Sequence, residues 1–250
     1  MRFDSKSRKT LPVPVYFASD MHLRLDRPDR ALRLASWVET LSAADTLHLV
    51  GDVCDFWYAT RQRTGREIKC LGLRSLAEFK ERGGKLTVLV GNHDSWLGPY
   101  YQEVLGAELV TEPWILDVHD LRFHIVHGHR VGGRQPWKAS MESRAFFEAF
   151  RGLPNAVASK LDRILEGSND RGRSDDEARL IEIYRESLPR IEAGIDIALF
   201  GHVHSPLDDS STMPRMVVLG GWHHRTSYLR VDTDGASLVV EDPAKEPVRA

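Results

Sequence analysis

Cysteine is scarce here: 250 residues hold two, Cys54 and Cys70. That excludes a disulfide framework and a four-thiolate structural zinc site, and it makes a reducing cytoplasm the expected compartment. An excess of charge of one sign is lacking too. The 34 Lys and Arg against 36 Asp and Glu leave a net charge of −2, too little field for broad electrostatic capture of nucleic acid, so no nucleic-acid partner is expected. No apolar run approaches the roughly 20 residues of a membrane span, and Met1 to Thr10 is too polar for a secretory signal. Repeats and low-complexity tracts are missing as well. A chain of this length can bury a large core as one domain, and residues 1–250 are read as a single α/β unit.

What is present is an alternation of short apolar runs with helical patterns, the signature of a layered α/β domain. Val13 to Ala18, Thr46 to Val50 and Leu86 to Val90 read as strands. Between them, a helix opens at Pro28, with Leu32, Leu34, Ala35, Val38 and Leu41 on its apolar face to about residue 43; a second spans about Glu67 to Glu81 and stops at Gly83-Gly84. Trp114 to Val118 and Leu121 to Val126 form a hairpin closed by His119-Asp120. Residues 131–193 read as a helical insertion, in which Ser174 to Glu177 matches a capping box before the apolar face of Leu180, Ile181, Tyr184, Leu188 and Ile191. A strand over Asp196 to Phe200 follows, and Met216 to Leu219 with Tyr228 to Val240 is expected to complete a second sheet. The expected architecture is two packed sheets with outer helices.

Five blocks stand directly after these strands: Asp20-Met21-His22, Gly51-Asp52 through Asp55, Gly91-Asn92-His93-Asp94, His127-Gly128-His129 and Gly201-His202-Val203-His204. The C-terminal ends of strands are where open α/β sheets place ligands. The blocks combine carboxylate, amide and imidazole donors as two divalent ions sharing one bridging ligand require, which is catalytic rather than structural metal chemistry. Extended backbone would put Asp20 and His22 on one side, so both can grip one ion. His202 and His204 repeat that spacing, or diverge toward different ions if their loop is less extended. Asp52 has the chemistry to bridge, Asn92 offers a neutral carbonyl oxygen, and glycines at 51, 91, 128 and 201 permit close backbone approach. Taken singly, an Asp-x-His or a Gly-Asp after a strand is ordinary loop chemistry. The ordered set is not. His48, His119, His124, His223 and His224 lack a paired carboxylate block and default to strand or surface roles, although the loop of His223 and His224 can border the site; Cys54 defaults to a buried thiol.

The ordered blocks resemble those of the calcineurin-like metallophosphoesterases, and within them those of the UDP-2,3-diacylglucosamine hydrolases, to which Gly51-Asp52-Val53-Cys54-Asp55-Phe56-Trp57, the insertion after His127-Gly128, and Leu219-Gly220-Gly221-Trp222 add further likeness. The resemblance implies a four-layer α/β/β/α sandwich of two mixed sheets with a helical lid at about 131–193. It implies one ion on Asp20, His22, Asp52 and His204 and another on Asp52, Asn92, His127 and His202, commonly manganese, with iron, zinc or magnesium as alternatives. The implied reaction is attack by metal-bound hydroxide on a phosphoanhydride, giving UMP and 2,3-diacylglucosamine 1-phosphate. His93 is expected to protonate the leaving oxygen or to stabilise the transition state, with Asp94 orienting its ring. The best-studied hydrolases of this kind carry arginine where His93 stands and aspartate where His129 stands, so a nucleotide or other phosphodiester remains an alternative substrate, and a metal-binding scaffold without turnover a third reading. His129, Arg130, Arg134, Lys138, Asn169 and Arg171 are the candidate substrate contacts, Arg130, Arg134 and Lys138 toward phosphates, beside Ser168 and Arg173. Trp137, Phe146, Phe147, Phe150, Leu153, Val157, Leu161, Ile164 and Leu165 are available either to hold acyl chains at the cytoplasmic face of the inner membrane or simply to pack the insertion.

Overall fold

In the computed structural model, described over residues 13–24, 27–55, 63–64, 67–133, 143–154, 156–158, 160–161 and 173–242, the apolar runs form two mixed sheets. Chain order is β1 (Val15–Ala18), α1 (Pro28–Glu39), β2 (Thr46–Val50), a short ladder of β3 (Arg63–Thr64) with β4 (Glu67–Ile68), α2 (Leu71–Glu81), β5 (Lys85–Leu89), α3 (Gly98–Leu105) and β6 (Glu108–Val110). Then come β7 (Trp114–Val118), β8 (Leu121–Val126), α4 (Arg144–Gly152), α5 (Arg173–Ser187), β9 (Ile197–Phe200), β10 (Leu207–Asp209), β11 (Arg215–Val218), β12 (Thr226–Asp232) and β13 (Gly235–Glu241). The first sheet has the order β13-β12-β1-β2-β5-β6 and the second β10-β11-β9-β8-β7. Parallel pairing joins β1, β2, β5 and β6 in one and β8, β9 and β11 in the other.

Side chains alternate across a strand, so each sheet is sorted into two apolar faces. Phe17, Val50 and Leu89 of the first sheet meet Phe123, Ile125, Ile197, Leu199 and Val217 of the second. The opposite face of the first sheet, with Ala18, Leu47, Leu49, Leu86 and Val88, takes Leu34 and Val38 of α1, Leu73 and Leu76 of α2, and Tyr101 and Leu105 of α3. The outer face of the second sheet, with Ala198, Phe200, Met216 and Val218, takes Tyr184 of α5 and Leu188 just beyond it. Helices, sheet, sheet and helix thus form the four layers. This arrangement leaves the C-terminal ends of β1, β2, β5, β8 and β9 along one rim.

Several expectations are corrected. The hairpin β12/β13 joins the first sheet through antiparallel pairing of β12 with β1, not the second. Glu67 and Ile68 form β4, and α2 begins only at Leu71; α1 ends at Glu39, and its Leu32 is 56% exposed. Ser174 lies inside α5 rather than capping it, and Glu177 reaches across to accept hydrogen bonds from His204 N (3.3 Å) and Ser205 Oγ (2.5 Å). In the insertion, Phe147 belongs to the body's core and Phe150 to a small cluster with Phe146 and Leu153, so these four pack, while Val157 and Leu161 are exposed. Trp137, Ile164 and Leu165 lie outside the described residues. Among the described residues, no helix is long and apolar enough to cross a membrane.

Candidate metal centre

Each candidate block leaves its strand in a conformation that aims side chains at the rim. Asp20 and His22 have φ of 56° and 46°, so they converge through left-handed turns rather than along extended backbone as expected. The turns are tied down by Asp20 N–H to Gly51 O and His22 N–H to Asp52 O, both at 3.0 Å. Asp52 (φ 53°) follows Gly51 (φ 87°), where a Cβ would overlap the His127 ring and lie 2.8 Å from Gly91 Cα. His202 has φ 65°, and that turn separates the two imidazoles of its block: His202 faces His127, with ring centroids 5.3 Å apart, and His204 faces His22.

The hydrogen-bond roles show which donor atoms converge. His22 Nδ1 lies 2.7 Å from Asp55 Oδ1, and His127 Nδ1 lies 2.9 Å from Val50 O; both partners only accept, so each ring donates there and turns its Nε2 inward, where it can bind a cation or a proton. His22 Nε2 then faces His204 Nε2 at 3.1 Å, Asp20 Oδ1 at 3.6 Å and Asp52 Oδ2 at 3.9 Å. His127 Nε2 faces Asn92 Oδ1 at 3.1 Å and Asp52 Oδ2 at 3.2 Å. Asp20 and Asp52 each give one oxygen to a backbone donor, His202 N–H (2.9 Å) and His93 N–H (2.8 Å). Their second oxygens, Asp20 Oδ1 and Asp52 Oδ2, are buried with no hydrogen-bond partner. Lone pairs converging at this spacing repel unless a cation lies between them, and edges near 3.1 Å suit donors about 2.1 Å from one ion. Asp52 Oδ2 stands between the two groups.

In the metal-free centre the carboxylates draw protons to these same nitrogens. Burial opposes charge on His22, yet Asp55, Asp20 and Asp52 carry its pKa up to about 10; on His127 burial is likewise overcome by Asp52 and Asp20, again to about 10. Burial and the nearby His127 keep His202 neutral, as a ligand requires. Burial would raise the Asp20 and Asp52 carboxylates, but the surrounding imidazoles hold both well below the usual range.

His93 Nδ1 lies 2.9 Å from Asp55 Oδ1, and its ring stands edge-on to His22 at 4.8 Å. Burial disfavours its charge, but Asp52 and Asp55 raise its pKa. The orienting carboxylate is therefore Asp55, not Asp94. Asp94 accepts from Gly91 N–H (2.6 Å), Asp52 N–H (3.3 Å), Val53 N–H (2.9 Å) and the Tyr101 hydroxyl (2.8 Å), tying the loop after β2 to the loop after β5. Burial, then the nearby Asp52, raises its pKa to about 6.

His129 packs on His127 at 5.3 Å, and Arg130 Nη1 lies 3.7 Å from Glu112, whose other oxygen accepts from His127 N–H at 2.9 Å. Glu112, His129 and Arg130 line a cavity of about 330 Å³ with Ser95, Trp96 and Thr111. Arg134, Lys138, Asn169 and Arg171 lie outside the described residues. Sequence reasoning missed Glu112 and Arg30, the latter buried and donating to His22 O at 3.1 Å; the loop of His223 does border the site as expected, its ring 4.4 Å from that of His204. One signal for His223 was available. It follows β11 through Gly220-Gly221, the same strand, glycine, histidine order as the other blocks.

Two sheets packed face to face, with acidic and imidazole side chains gathered at their shared C-terminal rim, define a metal-dependent phosphoesterase. Residues 13–206 match the calcineurin-like phosphoesterase family, and the chain belongs to it. Curated relatives include the UDP-2,3-diacylglucosamine hydrolase of Hahella chejuensis (strain KCTC 2396), 23% identical over 91% of this chain and 97% of its own, and that of Pseudomonas aeruginosa (strain UCBPP-PA14), 26% identical over 89% and 97%. Among solved structures, an archaeal phosphodiesterase is similar over 91% of this chain and 99% of its own, at 15% identity and a TM-score of 0.44.

Proposed function

We propose that this chain hydrolyses the diphosphate of UDP-2,3-diacylglucosamine to UMP and 2,3-diacylglucosamine 1-phosphate, using two divalent cations, with manganese the first to test. The observation that carries the two-cation reading is the unpartnered Asp52 Oδ2 between the lone pairs of His22 and His127. In this reading Asp20, His22, Asp52 and His204 hold one ion, and Asp52, Asn92, His127 and His202 the other. Two such ions, when bound, polarise a phosphoryl oxygen, lower the pKa of a water and neutralise charge developing in in-line attack. Asp55 holds His93 through Nδ1, and the proton on the other ring nitrogen, Nε2, would be the one supplied to the leaving oxygen. Asp94 keeps the loops bearing Asp52 and Asn92 at fixed separation. His129 and Arg130, beside the 330 Å³ cavity, meet a polar part of the substrate. The chain acts as one domain, and the exposed Val157 and Leu161 would meet the acyl chains. A diacylated substrate resides in a bilayer, so the protein works in the cytoplasm with peripheral contact to the inner membrane.

The substrate assignment is supported by relatives that bear the hydrolase name at 23–26% identity over about 90% of this chain. His93 and His129, where the best-studied such enzymes carry arginine and aspartate, support a second reading, a phosphodiesterase acting on nucleotides or similar diesters. The test is manganese-loaded protein assayed side by side on the glycolipid diphosphate and on bis-p-nitrophenyl phosphate. Preference for the glycolipid supports the first reading and activity on the diester alone the second. Silence on both leaves a scaffold and overturns both.

A further inference from the structure

Seven imidazoles line the rim; His93, His129 and His223 lie outside the two four-residue shells, and of these His223 approaches both His22 and His204. Its ring centroid is 4.4 Å from that of His204 and 5.3 Å from that of His22, while His22 and His204 are 5.0 Å apart. These spacings match the 5.3 Å between His127 and His202 on the other side. One ring nitrogen from each of His22, His204 and His223 falls within 4.8 Å of the others. Two atoms each about 2.1 Å from one ion lie at most about 4.2 Å apart, so a small ring rotation brings all three onto a common centre.

The position of His223 is built rather than incidental. Trp222, just before it, is fully buried and edge-on to Trp37 at 5.2 Å. The Trp222 N–H donates to Asp20 O at 3.0 Å, its carbonyl accepts from Arg33 Nη1 at 2.6 Å, and its indole donates to Ser227 O at 2.8 Å. Gly221 N–H donates to His204 O at 3.0 Å. The loop carrying His223 is thus fastened to the backbone of Asp20 and His204, two residues of the very half-site its ring approaches.

We infer that His223 is a further ligand to the cation held by Asp20, His22 and His204, which makes the two half-sites chemically unequal; the inference rests on the two-cation reading above. The half-site of His223 then has three imidazoles with two carboxylate oxygens, and favours zinc, iron, cobalt or nickel ions. The half-site of Asn92 has two imidazoles, the Asp52 oxygen and an amide oxygen, and is relatively harder. With more coordination positions filled by protein, the half-site of His223 would hold its cation mainly as a fixed charge, and the half-site of Asn92 would leave more room for a substrate oxygen.

The test is titration of metal-free protein with cobalt(II), read by its visible absorption and by bound metal per chain, in wild type, His223→Asn, His223→Gln and His224→Asn. Wild type should take up two equivalents with distinct affinities. Both His223 variants should weaken the tighter equivalent by about tenfold or more and change its spectrum, with the weaker equivalent and the melting temperature of the metal-free protein kept. His224→Asn, altering the exposed neighbour, should match wild type. Unchanged spectrum and affinity in both His223 variants would overturn the inference, as would equal weakening of both equivalents or melting well below wild type in both variants, since either would place His223 in the scaffold. Wild type that binds fewer than two equivalents would instead sink the two-cation reading itself.

Discussion

Replacing Asp94 by Asn separates a scaffolding role from a catalytic one. The carboxylate is fully buried and accepts four hydrogen bonds: Oδ1 from Gly91 and Asp52 N–H, Oδ2 from Val53 N–H and the Tyr101 hydroxyl. An Asn whose oxygen stays on Gly91 and Asp52 turns its NH2 toward Val53 and Tyr101. The tyrosine hydroxyl can reverse and accept, but the Val53 N–H then faces a donor with no acceptor left. A buried donor without a partner costs about 1–3 kcal/mol, and the two retained bonds lose their charge assistance. Against this, burial and Asp52 already raise the Asp94 pKa to about 6, so removing the charge returns part of the cost. The net loss is about 2–3 kcal/mol, which for a chain this long lowers the melting temperature by roughly 5–10 °C. Tyr101→Phe, which removes one bond, should cost about 1 kcal/mol, and the double variant should lose less than the sum because both act through Oδ2. Thermal melts of metal-free protein together with bound metal per chain measure both effects, and metal affinity should fall with stability. Asp94→Asn that melts with wild type, binds metal normally and has still lost turnover would refute this and return Asp94 to a direct role on His93.

Other expectations follow from the same geometry. His93→Ala should lower kcat by about 10²–10⁴ while bound metal stays near wild type, because the ring is not a ligand in the proposed shells; loss of metal would move it into them. Gly51→Ala, forced to φ 87° with its methyl against the His127 ring, should cost more than about 2 kcal/mol and reduce bound metal, as thermal melts and metal analysis would show. His22 and His127, with pKa values of about 10, hold protons in the metal-free protein at pH 7.5, so cation uptake should expel roughly two protons per chain, fewer as pH approaches 10; calorimetry in buffers of different ionisation enthalpy would read this. His48 is held neutral by burial, with its pKa pushed down to about 3. Its contribution to stability is therefore full above the unfolded value near 6.5 and declines as pH falls, by about 1 kcal/mol at pH 5.5 and about 2 at pH 5, and His48→Phe should remove that share of the acid sensitivity in denaturant titrations.

The parts of the fold governed by local pattern were legible. Strand β2 and the hairpin β7/β8 match the sequence reading residue for residue, because a short apolar run ending at Gly51-Asp52 specifies the first and a two-residue turn at His119-Asp120 the second. Three-residue β6 and β10 and eight-residue α3 are too short for periodicity to reveal. The hairpin β12/β13 was visible as a hairpin, but its sheet was not, since a turn signal says how two strands pair and nothing of the edge they join. At the site, the donors could be read from their positions after strands. Their orienting partners could not: Asp55 under His93, Val50 O behind His127 and Glu177 beside His204 are set by packing of distant segments. The capping box failed for the same reason, its glutamate being drawn to a tertiary donor.

The backbone itself marks where function sits. Among the described residues, positive φ outside glycine occurs at Asp20, His22, Asp52, His202 and His119. His119 is the hairpin turn, where a left-handed residue is routine; the other four are candidate ligands after three separate strands. Each such residue costs on the order of 1 kcal/mol, so together they consume a sizeable share of the 5–15 kcal/mol typical of a domain. Relief would be simple, since extended backbone is open to every one of these residue types. It would also undo the centre. An extended Asp20–His22 would exchange the ladder to Gly51 and Asp52 for another path, and an extended His202–His204 would send both imidazoles to one side. The left-handed turns let three strand ends aim donors at one centre, and the apolar faces of two sheets, meeting directly beneath them, sustain that cost. Strain at the rim and packing below it are one design, in which a rigid core holds acceptors closer together than they would remain without a cation.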